Sequence, residues 1–140
     1  MKENTEYLFE RLVHIAQSSL DSINDIEDLL DDRDDQTFSC RWMEEYNIVK
    51  SLMLQEKNKT MYIEFSDNLR ENVFKEVLKR YSNSDLAAYI SDDFGLLIDA
   101  INLNYNSVWL NGLLVSYIRG EVPKGRVRIK EGTLSSLLLD

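Results

Sequence analysis

The side chains with the most evident chemical potential in this chain are carboxylates crowded between Asp21 and Asp35. Asp21, Asp25, Glu27, Asp28, Asp31, Asp32, Asp34 and Asp35 stand there with a single cation, Arg33. Oxygen ligands at this density suit either a hard cation such as calcium or a basic macromolecular partner. The calcium reading fails on register, because an EF-hand loop starting at Asp21, Asp25 or Asp28 meets no glycine at its sixth position. Asp21, Asp25, Asp28 and Asp32 are spaced four, three and four apart, which predicts one acidic helical face with Ile23, Ile26 and Leu30 turned away. Like charges so placed repel by roughly a few tenths of a kcal/mol per pair, so helix propensity does not account for the pattern. Asp31 to Gln36 reads as an exposed acidic loop continuing that face.

Other chemistries are thinly supplied. The chain has one histidine, His14, on the flank of an amphipathic stretch, and one cysteine, Cys40, which reads as a small buried hydrophobe near Trp42. One histidine and one cysteine make no transition-metal cluster. The glycines at 95, 112, 120, 125 and 132 never gather into a phosphate-cradling loop. No catalytic residue, metal site or cofactor is therefore expected. Asp92, Asp93 and Asp99 are the carboxylates from which a divalent-metal enzyme would be built, the least favoured reading. Asp92 and Asp93 are accounted for as first-turn anions of a helix capped by Ser91, and Asp99 by a polar face. Trp42, Tyr46, Trp109 and Tyr117 fall on apolar stripes and read as core, with Tyr46 also a candidate exposed anchor.

The elements that position these residues are helical. From Thr5 to about Leu30 the apolar spacing is that of a helix, with Glu3, Glu6 and Glu10 at the end where the helix dipole favours anions. Ser18, Ser19 and Ser22 mark a break, with Ser19 a candidate cap for a second segment. Thr37 is placed to cap a third helix, whose stripe is Phe38, Trp42, Tyr46, Val49 and Met53. Another helix starts at Ser66 or Asp67 and follows Leu69, Val73, Val77 and Tyr81. The most apolar stretch, Ser84 to Pro123, divides at Asn104–Ser107 into two amphipathic helices expected to pack as an antiparallel hairpin. Gly120 and Pro123 stop the second. Thr60–Phe65 alternates like a strand, and Arg126–Lys130, which also alternates and is bracketed by Gly125 and Gly132, is the partner expected for it. The tail Thr133–Asp140 has leucines at 134, 137, 138 and 139 and is expected to dock as a short helical turn.

The expected fold is thus mainly α: one domain over residues 1–140, a bundle of five or six helices. An α+β variant would pair 61–65 with 126–130, and 124–140 would be an appended tail. One proline and five glycines argue against a turn-rich β fold. A lone cysteine and no signal-peptide pattern predict a reduced, cytoplasmic protein. A net charge of −9 disfavours general nucleic-acid or anionic-membrane binding, and no apolar run is long enough to span a bilayer. The function expected is non-enzymatic. Asp21, Asp25, Asp28, Asp31, Asp32, Asp34 and Asp35, with Tyr46, would meet a basic protein partner. The concrete version is an inhibitor or immunity-type protein that occludes a nuclease or other toxin. The alternative is a small regulatory or structural subunit that binds through its apolar C-terminal tail.

Overall fold

A computed structural model of the chain describes residues 2–139, with side chains from residue 5 onward, so Glu3 and the terminal Asp140 lie outside the described side chains. Among the described residues there are seven α-helices and no strand. They are α1 (Lys2–Ser19), α2 (Ile26–Asp34), α3 (Gln36–Leu54), α4 (Lys59–Tyr81), α5 (Ser84–Asn102), α6 (Val108–Ile118) and α7 (Leu134–Leu139). The mainly α bundle is the architecture the apolar spacing predicts. The count exceeds five or six because the acidic segment and the tail each fold as a short helix of their own.

The long first stripe breaks where the serines stand. After Ser19 the chain makes a single 3-10 turn, Leu20–Ser22, and then extends through Ile23 and Asp25. The Ser19 and Ser22 hydroxyls donate back to Ala16 O and Ser19 O, both at 2.7 Å, so Ser19 closes the preceding turn rather than capping the next. Tyr81 at the end of α4 donates to Leu20 O at 2.6 Å and holds this break against the bundle.

The centre of the bundle is α5 with α6, whose residues supply much of the buried core, from Leu86 to Tyr117. Asn83 caps α5 by accepting from Leu86 N at 2.9 Å, which puts Ser91, Asp92 and Asp93 in mid-helix rather than in a first turn. The tightest hairpin is α4 with α5, joined only by Ser82 and Asn83; Ser82 takes the left-handed conformation that ends α4. The expected α5–α6 pair meets through large side chains instead, notably Phe94 against Tyr117 at 4.6 Å between ring centres. Gly120, at φ +85°, ends α6 as expected.

Both halves of the expected strand pair fold otherwise. Thr60–Phe65 is the first part of α4, which starts at Lys59 and not at Ser66 or Asp67. The alternation is there, but Phe65, Leu69, Val73 and Val77 also keep helical spacing, and a helix satisfies this backbone without a neighbouring strand. Phe65 packs edge-on against Phe9, while Met61 and Ile63 stay exposed. Residues 126–130 form an irregular strap over α6. Lys130 N–H donates to Val108 O at 3.0 Å, and the Asn111 amide donates to Lys130 O and Gly132 O at 2.9 and 2.7 Å. Gly112 permits the approach: a Cβ there would stand 2.2 Å from Arg128 O. The tail docks as α7, with Leu134 and Leu138 buried, Leu137 half-buried and Leu139 exposed, so two of the four leucines of the tail-binding alternative are spent inside the fold.

Candidate partner-binding surface

Asp25 caps α2 by accepting from Asp28 N at 3.1 Å, and its extended backbone is where the helix begins. In α2 one stripe, Ile26, Leu29, Leu30 and Arg33, faces the protein. Glu27, Asp28, Asp31, Asp32 and Asp34 fill the rest of its circumference, so the whole outward arc is carboxylate. This differs from the expected face of Asp21, Asp25, Asp28 and Asp32, because Asp21 lies in the 3-10 turn and Asp25 at the cap. The expected acidic loop is also absent. The helix runs through Asp34, and Asp35, not Thr37, caps α3 by accepting from Thr37 N at 2.8 Å.

Several of these carboxylates have partners at home. Asp21 pairs with Arg80 at 2.6 Å, Asp32 with Lys124 at 3.5 Å, and Asp34 accepts from Tyr89 Oη. That hydrogen bond, with partial burial, raises the Tyr89 phenol above its ordinary pKa. Glu27, Asp28 and Asp31 have no ion-pair or side-chain hydrogen-bond partner among the described residues and remain exposed.

The single cation of the segment turns inward. Arg33 is buried and grips Asp93 with both terminal nitrogens, each at 2.7 Å. Asp93 also accepts from Trp42 Nε1 at 2.9 Å and from Tyr117 Oη at 2.6 Å, so four donors serve one fully buried carboxylate. The guanidinium lies over the Phe38 ring at 4.2 Å and donates to Pro123 O at 3.4 Å. Burial works against the Arg33 charge, but Asp93 more than offsets it and raises the pKa. Burial first, then Asp93, raises Tyr117 well above its ordinary value and keeps it a donor. One cluster thereby joins α2, α3, α5, α6 and the chain after α6, and fixes the acidic arc in place.

Beside that arc lies an aromatic shelf. Tyr46 stacks on Trp42 with ring centres 5.3 Å apart and planes 14° from parallel, and is 36% exposed. A pocket of about 180 Å³ is bounded by Asp34, Phe38, Trp42 and Tyr89. It shares Trp42, Met43 and Asp92 with a cleft of about 420 Å³. The cleft lies where α3 packs on α2 and α5 but is not closely packed on α4. Met43, Tyr46, Met53 and Leu54 form one wall, Ile63, Ser66 and Arg70 the other, and Asp92, Gly95 and Asp99 of α5 the floor.

The three α5 carboxylates are not brought together. Asp93 is enclosed as described, Asp92 pairs with Arg70 at 2.8 Å, and Asp99 lies at the base of the cleft. Burial raises the Asp99 pKa to about 6 against the lowering effects of Ser66 and Arg70, and its Oδ1 is buried with no hydrogen-bond partner. Glu45, also buried, is satisfied by Tyr105 Oη at 2.8 Å, Ser107 Oγ at 2.7 Å and Arg41 at 3.2 Å. Burial and the Glu45 contact push Tyr105 up to about 12. Cys40 is exposed, because it falls on the side of α3 away from the Phe38–Val49–Met53 stripe. His14 is exposed as well.

Arg33, Asp93 and the cleft are what the sequence reading missed. The available signal was the lone cation among eight carboxylates and an aspartate set in the apolar run Ile90–Ala100. A comparison with curated proteins finds no match. A family model described as "Immunity protein PIM1" matches residues 8–124, a span that holds the acidic arc, the Arg33–Asp93 cluster and the cleft. With the greater part of its length so matched, the chain belongs to this family of immunity proteins.

Proposed function

We propose that this chain neutralises a basic toxin, most concretely a nuclease, in the cytoplasm and without catalysis, by covering it with the acidic arc of α2 and the neighbouring Trp42–Tyr46 shelf. The observation that supports this reading is the division of charge in α2. Its only cation is withdrawn to Asp93, and its exposed circumference is entirely Glu27, Asp28, Asp31, Asp32 and Asp34. Such an arc raises the encounter rate with a cationic surface by about one to three orders of magnitude at low salt. Exposed charge gives speed and selectivity more than affinity, so the stacked aromatics supply the apolar centre of the contact and the carboxylates its rim. Membership in an immunity-protein family supplies the partner class. The acidic arc is what supports a basic toxin within that class.

The test is stopped-flow association with the cognate toxin across a salt series, paired with survival of cells expressing that toxin. A variant with Glu27→Lys, Asp28→Lys and Asp31→Lys alters only carboxylates without internal partners. Association at least ten times slower, with a flattened salt dependence and lost protection, is expected. Unchanged association and protection would remove the arc from the interface.

A further inference from the structure

We propose that the cleft between α3 and α4 is a socket for an arginine side chain of the toxin, an assignment that rests on the toxin-binding reading above and names the chemistry of its anchor. The cleft's walls are apolar where a side chain would enter: Met43, Tyr46, Leu54 and Ile63 are each at least 36% exposed. Exposed large apolar groups clustered around a concavity mark a contact surface rather than chance exposure. The floor is different. Asp99 sits there with one buried carboxylate oxygen that no donor reaches, and Asp92 lies two turns away on the same side of α5.

An apolar passage ending at an undersatisfied carboxylate suits a long amphipathic side chain. The methylenes of such a residue lie against the apolar wall while its charged tip meets the acid. Lys50 and Arg70 equal Asp92 and Asp99 in number along the lining, but both cations are engaged with other groups. Arg70 is committed to Asp92 at 2.8 Å and approaches Asp67 at 3.7 Å, and Lys50 stands 5.8 Å from the Tyr46 ring centre. Asp99 is the floor group left without a full set of donors. Arginine fits better than lysine, since its planar guanidinium presents a fork of donors that matches a carboxylate. Two methionines, Met43 and Met53, give the walls the flexibility to close on it. Access to Asp99 needs Arg70 to swing. Its guanidinium is on the exposed side, and its stem crosses the glycine at 95, where a Cβ would stand 2.5 Å from Arg70 Cδ.

The test needs no toxin. Hexylguanidinium is titrated into the isotopically labelled full chain, with hexan-1-ol and hexane-1-sulfonate as neutral and anionic probes of similar length. The Trp42 indole and Gly95 amide resonances are followed. Saturable shifts at both with the guanidinium are expected, together with binding at least fivefold weaker for the alcohol and none for the sulfonate. Asp99→Asn, close to isosteric, should weaken the guanidinium by fivefold or more and leave the alcohol unchanged. Tyr46→Ala, at an exposed site, should weaken both. Alcohol binding as tight as guanidinium, indifference to Asp99→Asn, or shifts confined to α2 would each overturn the socket. Failure here leaves toxin binding through the arc intact, and failure of the protection assay leaves the chemistry of the cleft intact.

Discussion

Asp93 and Asp99 are the same residue type on the same helix, and their surroundings have made them opposites. Asp93 is fully buried and receives four donors from three other elements. Asp99 is largely buried, yet one of its oxygens has no donor and its pKa rises to about 6. Burial alone therefore separates neither role. The number of donors that arrive with the burial does. A carboxylate with every lone pair engaged locks neighbouring helices together, while one left short is poised to accept a group from outside.

The first way to break the comparison is to take a partner from Asp93. Arg33→Ala strands a buried carboxylate among polar donors and should cost about 3–5 kcal/mol, read as a lower urea midpoint. Replacing both partners, Arg33→Met with Asp93→Leu, should recover part of that loss, because no unpaired charge then remains. A single variant no less stable than wild type would mean the cluster is ornamental. The acidic arc would be displaced along with it, so toxin association should fall in the single variant even where the fold survives.

Asp99 sharpens the contrast through pH. Its folded pKa, about 6, lies above the unfolded value of 3.8, so the folded state prefers the protonated acid. The stabilisation from that preference is complete below the unfolded value and is lost as pH rises through 6. The full difference is worth up to about 3 kcal/mol. Urea denaturation at pH 5 and pH 7.5 should show wild type gaining on Asp99→Asn at the lower pH. Equal pH dependence in the two proteins would mean that Asp99 is solvated and that the cleft floor is an ordinary surface.

These two environments differ in how far the sequence discloses them. Helix signals are local and were readable: the serines at 18, 19 and 22, the Gly120–Pro123 stop, and the apolar spacing of α5 and α6. Thr60–Phe65 misled because a six-residue alternation satisfies either period, and only the absence of a strand partner decides it. Asp93 was misassigned to a first turn because Ser91 resembles a cap, whereas Asn83 had already started the helix. Its partner Arg33 is sixty residues away in the chain, and no local pattern links them. The cleft depends on α3 not packing closely on α4, a consequence of tertiary packing that no spacing within either helix encodes. The acidic segment was visible as a cluster, but its orientation became clear only once Arg33 was seen to turn inward.

The smallest effect on stability is expected where the effect on function is largest. Glu27, Asp28 and Asp31 touch no partner within the chain and stand on the exposed arc of α2. Changing all three to lysine should cost about 1–2 kcal/mol in all, chiefly because Glu27 and Asp28 stand in the first turn of α2, where the helix dipole favours anions. Relief of repulsion from the neighbouring carboxylates, about a few tenths of a kcal/mol per pair, offsets part of that cost. The same variant removes the charge that would draw a cationic partner, so a stable fold and a slower association should appear together. A large loss of stability in it would place these residues with Asp93, among the groups that hold the bundle together. The distinction between carboxylates that build the molecule and carboxylates proposed to meet its partner would then have to be redrawn.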